Sequence, residues 1–273
     1  MTKDDNWKEL FRNHRHLLLA LKLRADKPAQ VIRCLGDEQV VLMGSAAGGA
    51  RQSKRKATEH EILSVVVTPE ANMGSEELTA LIKEARSEYP KAEISGYGPA
   101  PTEFDALGVL LGQAGSEFVA EAGEATSEKP VIAALQYSPD VSPEALESAC
   151  QAAAKIPGLR SVVPLPLAAG DRIPLEGATT SGPTDVMVVS VLRHFLPTQV
   201  RVRASWAALG WKVAQMALIH GADELAGWSV AESVAYSARV RAAARVETDE
   251  VKCGVEEAGK VWAPWPTVEE VAR

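Results

Sequence analysis

Residues 201–228 read RVRASWAALGWKVAQMALIHGADELAGW and contain the clearest strand–helix–strand pattern in the chain. The apolar spacing predicts a strand over 199–205, a helix over 206–221 and a short strand over 222–227. A strand, a helix and a second strand form the repeating unit of sheets whose strands run parallel. This stretch therefore predicts an α/β fold.

The same unit recurs towards the N-terminus. About eight strands separated by helices predict a TIM-like (β/α) barrel, and a doubly wound open sheet is the structural alternative. The segment 45–61, SAAGGARQSKRKATEHE, is predicted to be a loop, so the first barrel helix is expected to be missing. The other predicted strands are 39–44, 62–68, 92–98, 116–122, 130–137 and 159–167, and the other predicted helices are 75–89 with Ser75 as N-cap, 102–115, 142–156 and 184–196.

The chain is predicted to have an N-terminal segment and one domain. Residues 1–36 are predicted to hold N-terminal helices, one over 7–25 and a second over 28–35 that starts at Pro28. Residues 37–273 are predicted to form a single barrel with a C-terminal helical tail. We find no internal repeat.

Composition limits the class of protein. The 273 residues are 46% hydrophobic and 24% charged, with a net charge of −7, which is typical of a globular protein and argues against a general nucleic-acid binder. The N-terminus lacks a signal-peptide hydrophobic region, and no apolar run is long enough to span a membrane. Three widely spaced cysteines fit a reducing compartment. We expect a cytoplasmic protein with neither a membrane nor a nucleic-acid partner.

The stretch 204–227 resembles the last two barrel units of a radical S-adenosylmethionine (SAM) group that includes aminofutalosine synthase, cyclic dehypoxanthinyl futalosine synthase and deazaflavin (FO) synthase. Glu224 and Ala226 depart from the group's pattern of Gly-Ala-Asp-Asp-Leu-Gly-Gly. Weaker matches at 89–104, 161–167 and 251–265 extend the resemblance over roughly 40–265. The matching residues are Ala204, Ser205, Trp206, Leu209, Gly210, Ala214, Gln215, Gly221, Ala222, Asp223, Leu225 and Gly227.

The resemblance fails where the group carries its cluster. Radical SAM enzymes place Cys-x3-Cys-x2-Cys after the first strand, because three thiolates must hold a [4Fe–4S] cluster. This chain has no cysteine between Cys34 and Cys150. The glycine pair expected after the second strand reads VTPEANMG, and the Gly-rich stretch expected near 120 reads VAEAGEA. We expect no iron–sulfur cluster and no radical SAM activity from this chain alone.

The resemblance therefore implies a pseudoenzyme. We expect a non-catalytic partner or accessory subunit of an intact, cluster-bearing homologue, in menaquinone biosynthesis (the futalosine pathway) or deazaflavin cofactor biosynthesis. A hetero-oligomer or a homo-oligomer would cover the apolar outer side chains of the first two strands, such as Val40, Val66 or their neighbours, unless the N-terminal helix covers them. The alternative is a cluster-independent enzyme, or a small-molecule-binding protein, that uses a pocket at the barrel mouth.

Residues at predicted strand ends are the candidates for a ligand pocket, because parallel barrels place functional groups at the carboxyl ends of their strands. Surface exposure is the alternative for the glutamates, and packing is the alternative for Tyr97, Gln136 and Tyr137. A structural role is the alternative for Ser205, and capping or bridging of backbone groups is the alternative for Asp223. No catalytic residue is assigned, and the five histidines form no metal-ligand pattern. The candidates are Glu70, Tyr97, Glu103, Glu121, Gln136, Tyr137, Ser205 and Asp223.

Overall fold

The computed structural model has one twelve-stranded sheet flanked by helices. It describes residues 6–13, 29–35, 39–44, 51–52, 61–69, 73–96, 103–114, 117–121, 129–167, 180–227 and 246–266. The strands are β1 (Val31–Leu35), β2 (Gln39–Gly44), β3 (Arg51–Gln52), β4 (Ser64–Pro69), β5 (Glu93–Gly96), β6 (Ala106–Ala114), β7 (Glu117–Glu121), β8 (Val131–Tyr137), β9 (Leu159–Pro166), β10 (Arg201–Ser205), β11 (Glu224–Ala226) and β12 (Val261–Pro264). The helices are α1 (Asn6–Arg12), α2 (Ser75–Glu88), α3 (Pro143–Ala154), α4 (Gly182–Phe195), α5 (Trp206–Leu209), α6 (Trp211–Ile219) and α7 (Thr248–Glu257).

The sheet confirms the predicted α/β class and the TIM-like barrel architecture. Its order is β12-β1-β11-β10-β9-β8-β6-β5-β4-β2-β3, and β7 pairs with β6 outside this path. Strands β3 and β7 run antiparallel to their neighbours, whereas the other pairings are parallel. From β2 to β11 the parallel strands follow chain order, as successive β-α units of a barrel do.

Two contacts across the concave face show that the sheet is curled into a half-barrel. Arg160 on β9 pairs with Glu93 on β5, with nitrogen–oxygen distances of 2.5 and 2.7 Å. Strands β8 and β6 lie between them, so a flat sheet would hold the two backbones roughly 14 Å apart. Leu63, just before β4, also packs against Leu35 and Trp265 from the opposite end of the sheet. We call the space enclosed by the concave face the lumen.

The convex face is covered by helices. Val65 and Val67 of β4 are fully buried in a cluster that contains Leu78 and Ile82 of α2. Because side chains alternate along a strand, Val66 lies on the concave face. The expectation that Val66 is an exterior side chain in need of a partner is therefore wrong. Helix α2 supplies the cover for the outer face of β4.

The predicted second helix at 28–35 is wrong, because residues 31–35 form β1. This strand lies parallel between β11 and β12. Ile32 and Leu35 are both fully buried. Hydrogen bonds to two strands and this burial outweigh the weak helical preference of a short apolar segment.

The predicted helix at 102–115 is also wrong, because residues 106–114 form β6. Leu107, Val109 and Leu111 are buried in alternation, Gly108 lies between the first two, and Gly112 follows the last. Glycine weakens a helix by about 1 kcal/mol per residue relative to alanine, so this segment had little helical preference. It pairs with β5, β8 and β7.

Three further predictions concern helix ends. Gly74, not Ser75, is the N-cap of α2, and its N–H donates to the Glu77 carboxylate at 3.1 Å. The predicted helix 206–221 is interrupted at Gly210, whose φ of 84° is not helical. Helix α1 covers the start of the predicted helix at 7–25, and the rest of that prediction lies outside the described residues.

The prediction of a missing first barrel helix falls on residues 45–61. Only β3, antiparallel to β2, and residue 61 are described there, so the prediction lies largely outside the described residues. Within the described part of the chain, no helix is long and apolar enough to cross a membrane.

Candidate functional site

The mouth of the half-barrel holds two of the predicted pocket residues. Gln136, near the end of β8, and Ser205, at the end of β10, lie on the concave face, as the strand register shows. Gln136 is partly exposed and Ser205 is buried. They are the predicted residues that the structure places at the carboxyl ends of strands and towards the lumen.

Tyr137 faces the helices instead of the lumen. Its side chain is fully buried, and its hydroxyl donates to Oδ1 of Asp185 on α4 at 2.8 Å. Asp185 is itself fully buried. This geometry agrees with the packing interpretation and separates Tyr137 from its neighbour Gln136.

Asp223 joins β11 to β10 and to the end of α4. Its Oδ2 accepts from the N–H of Val202 at 2.8 Å and from Nη1 of Arg193 at 2.8 Å. The Arg193 guanidinium also donates to the carbonyl oxygens of Val200 and Pro197. Burial raises the pKa of Asp223 above its ordinary value, although the Val202 N–H and Arg193 oppose that change. These contacts agree with the bridging interpretation.

Of the four remaining candidates, only Glu103 has a described side chain. Glu103 precedes β6, and its carbonyl oxygen accepts from Arg86, so it lies at the amino end of the sheet rather than at the mouth. Glu121 ends β7, and only its backbone is described. Glu70 and Tyr97 lie outside the described residues.

The matching motif around Trp206 and Gly227 has a packing explanation. The indole of Trp206 is buried and lies where a side chain at Gly227 would be, since a Cβ there would fall 1.5 Å from Cε2 of the indole. The Gly227 N–H donates to the carbonyl oxygen of Leu35 at 2.8 Å. Any larger residue at 227 would displace the indole.

The three cysteines lie on separate elements. Cys34 on β1 and Cys150 on α3 are buried, and Cys253 on α7 is exposed. Burial, followed by the nearby carboxylate of Glu147, raises the pKa of Cys150 to about 12. The carboxylate of Glu257 raises the pKa of Cys253 above its ordinary value. Among the described residues, no group of three His, Cys, Asp or Glu side chains is placed to hold a metal ion.

The lumen contains a set of arginines that the sequence analysis missed. Strand register places Arg33, Arg201 and Arg203 on the concave face with Glu224. Arg203 Nε donates to Glu224 Oε2 at 2.8 Å, and Arg201 Nε lies 3.5 Å from Glu224 Oε1. The alternation of Arg201, Val202 and Arg203 in a strand predicted to be buried was the signal that could have revealed them.

Arg160 reaches the lumen because of an irregularity in β9. The register between β8 and β9 shifts near Val131 and Ile132, where Leu159 and Ser161 are the paired residues and Arg160 is the extra one. Such a β-bulge changes the direction in which side chains of the strand point. Burial would lower the pKa of Arg160, but its hydrogen bonds to Glu93 raise that pKa above the ordinary value. The carboxylate of Glu224 acts in the same direction, so the two ion pairs influence each other.

Comparison with known proteins gives partial matches in sequence. No family model matches the chain. A 90-residue stretch is 34% identical to the 5-amino-6-(D-ribitylamino)uracil–L-tyrosine 4-hydroxyphenyl transferase of Methanoculleus marisnigri, covering 33% of this chain and 24% of that protein. An 80-residue stretch is 39% identical to the Methanopyrus kandleri protein of the same name, covering 29% and 22%. The matching stretch thus spans about a quarter of these relatives' length.

Comparison of structures supports the fold over most of the chain. The FeFe-hydrogenase maturase HydG from Carboxydothermus hydrogenoformans superposes with a TM-score of 0.57, covering 93% of this chain and 73% of that one. The sequence identity is 10%, so the similarity concerns the fold alone.

Proposed function

We propose that this chain is a radical-SAM-like barrel without cluster chemistry that acts as an accessory subunit of a cluster-bearing relative. The placement of its cysteines is the observation that carries the proposal. Three thiolates must converge to hold the irons of a [4Fe–4S] cluster. Here two of the three thiols are buried on β1 and α3, and the third lies exposed on α7. These residues do not fit the cluster.

The sequence relatives suggest which homologue the chain would assist. The partial matches are to a protein that its name describes as a 4-hydroxyphenyl transferase acting on 5-amino-6-(D-ribitylamino)uracil and L-tyrosine. We therefore propose a partner of that kind, in deazaflavin cofactor biosynthesis. Menaquinone biosynthesis through futalosine is the alternative pathway that the sequence resemblance leaves open. Val65 and Val67 are fully buried under α2, so the outer layer of the barrel is well packed there. This packing supports the proposal that the chain is a stably folded scaffold.

The first test concerns the cluster. The purified chain is incubated anaerobically with iron and sulfide, and bound iron and visible absorption are measured. The matched control is the triple variant Cys34→Ser, Cys150→Ser and Cys253→Ser. We expect equal, substoichiometric iron in both proteins. A stoichiometric cluster that is present in the wild type and absent in the control would overturn the proposal.

The second test concerns the partner. The chain is co-expressed with the cluster-bearing homologue from the same genome, and the mass of the purified material is measured by light scattering. We expect a complex with defined stoichiometry, and a higher turnover of the homologue in the complex than alone. A monomer that neither binds the homologue nor changes its turnover would contradict the accessory role.

A second candidate function is small-molecule binding without turnover. Gln136 and Ser205 at the mouth favour it, because a polar side chain at the carboxyl end of a barrel strand is well placed to contact a ligand. A ligand-specific rise in melting temperature, lost in Gln136→Leu, would favour this function over the accessory role.

A further inference from the structure

The concave face carries more positive than negative charge around β10 and β11. Arg33, Arg201 and Arg203 share this face with one carboxylate, that of Glu224. Glu224 is almost fully buried and is already engaged by Arg203 at 2.8 Å and by Arg201 at 3.5 Å. Among the described residues, these three arginines and one glutamate leave an excess of two positive charges on this part of the concave face.

The same region contains buried hydrogen-bond donors that have no acceptor among the described residues. They are Nη2 of Arg203, Oγ of Ser161 and Nε1 of Trp265. The three residues are 6%, 0% and 6% exposed. Buried polar atoms in proteins nearly always have a partner, so three unpaired donors in one region call for a common explanation.

The fold places Trp265 and Ser161 beside the arginines of the lumen. The Trp265 ring lies over the guanidinium of Arg203, with 4.6 Å between the guanidinium carbon and the ring centroid. Ser161 on β9 is the register partner of Arg201 on β10. Stacking on an indole holds the plane of a guanidinium, whose free N–H groups then point in a fixed direction.

We propose that the lumen binds an oxyanion, a carboxylate or a phosphate, through Arg203, Ser161 and Trp265. A planar guanidinium recognises such oxygens with paired N–H donors, and the indole and hydroxyl add two more. Arg33 and Arg201 are partly exposed and supply positive charge on the solvent side. Arg201 Nε lies 3.5 Å from Glu224 Oε1, farther than the 2.8 Å between Arg203 Nε and Glu224 Oε2, so Arg201 is the more loosely held of the two arginines. This site does not depend on the accessory role.

The experiment measures melting temperature and calorimetric binding of the full chain with inorganic phosphate or malonate, at ionic strength matched with sodium chloride. A specific site gives a saturable rise of about 5 °C when the anion is in hundredfold excess over its dissociation constant. Tighter binding of phosphate or of malonate identifies which oxyanion the site takes. The Arg203→Gln variant is expected to bind at least tenfold more weakly. The control Arg86→Gln, which removes an exposed arginine paired with Asp105 on the outer surface, is expected to bind like the wild type.

If Arg203→Gln does not fold, as judged by far-ultraviolet circular dichroism, the partly exposed Arg33→Gln takes its place with the same expected tenfold loss. Equal responses of the wild type and the lumen variant would show a general salt effect and would overturn the proposal. The absence of a saturable response to either anion in the wild type would do the same.

Discussion

Replacing Gly227 by alanine tests how much the packing of Trp206, at the start of α5, against the residue after β11 stabilises the protein. The added Cβ would lie 1.5 Å from Cε2 and 1.9 Å from Cζ2 of Trp206, so the indole or the backbone must move. Expelling an indole exposes about 150–250 Å² of apolar surface, which at about 25 cal/mol per Å² corresponds to about 4–6 kcal/mol. Overpacking that is relieved by small backbone shifts costs about 1–3 kcal/mol. We expect Gly227→Ala to lower the free energy of unfolding by about 3–5 kcal/mol, between full expulsion of the indole and full relief by the backbone.

The measurement is urea unfolding followed by tryptophan fluorescence and circular dichroism. Gly112→Ala on β6 is the matched control, because a Cβ there meets nothing within 4 Å and should change stability by less than about 0.5 kcal/mol. Adding Gly227→Ala to a Trp206→Ala background should cost less than about 1 kcal/mol, since the clash is then gone. A Gly227→Ala protein as stable as the Gly112→Ala control would refute the reasoning.

Two further predictions follow from buried ionisable groups. Arg193→Met should destabilise the protein by about 3–5 kcal/mol near neutral pH, because it leaves the Asp223 carboxylate buried without its cation. The pKa of Asp223 is already raised, and losing Arg193 raises that pKa further. The folded state of the variant therefore binds the Asp223 proton more tightly than the unfolded chain does. As a result, the loss of stability grows as the pH rises. Thiol labelling of the native protein at pH 8 should modify Cys253 alone, because burial raises the pKa of Cys150 to about 12 and Cys34 is also buried. Labelling of Cys253 should be faster in Glu257→Gln, which removes the carboxylate that raises its pKa.

Each of these predictions has a control. Arg86→Met breaks the exposed ion pair with Asp105 and should lower the free energy of unfolding by less than about 1 kcal/mol. Urea unfolding at pH 5 and pH 7.5 compares this variant with Arg193→Met. Equal losses for the two variants would contradict the role assigned to Arg193. In the labelling experiment, all three thiols should react after the protein is unfolded in urea. If Cys150 in the native protein reacted as fast as Cys253, Cys150 would not be buried on α3.

The sequence predicted most of the α/β architecture, because its strands and helices are local patterns. The stretch 201–228 predicted β10, the helical region after it and β11, and the register of β10 with β11 follows from the parallel pairing of successive units. The break at Gly210 was not predicted, since only its positive φ distinguishes it from a glycine inside a helix.

The errors arise where distant contacts decide local structure. Residues 31–35 form a strand because β11 and β12 lie on either side of them, and no nearby residue signals that pairing. The lumen arginines were missed for a related reason. A charged residue on a barrel strand is read as exposed unless its partner is known, and the partner of Arg160 is Glu93, 67 positions away.

The position of β1 has a consequence for biosynthesis. Val31 pairs with Val261, and Arg33 with Glu224, so both partner strands emerge from the ribosome about 190–230 residues after β1 itself. At about 5–20 residues per second, this interval lasts roughly 10–40 s. During that time Ile32 and Leu35, which are fully buried in the finished sheet, have no strand to pair with. The N-terminal strand therefore joins the described sheet among the last, and a bulky N-terminal fusion would hinder the completion of the sheet rather than its early assembly.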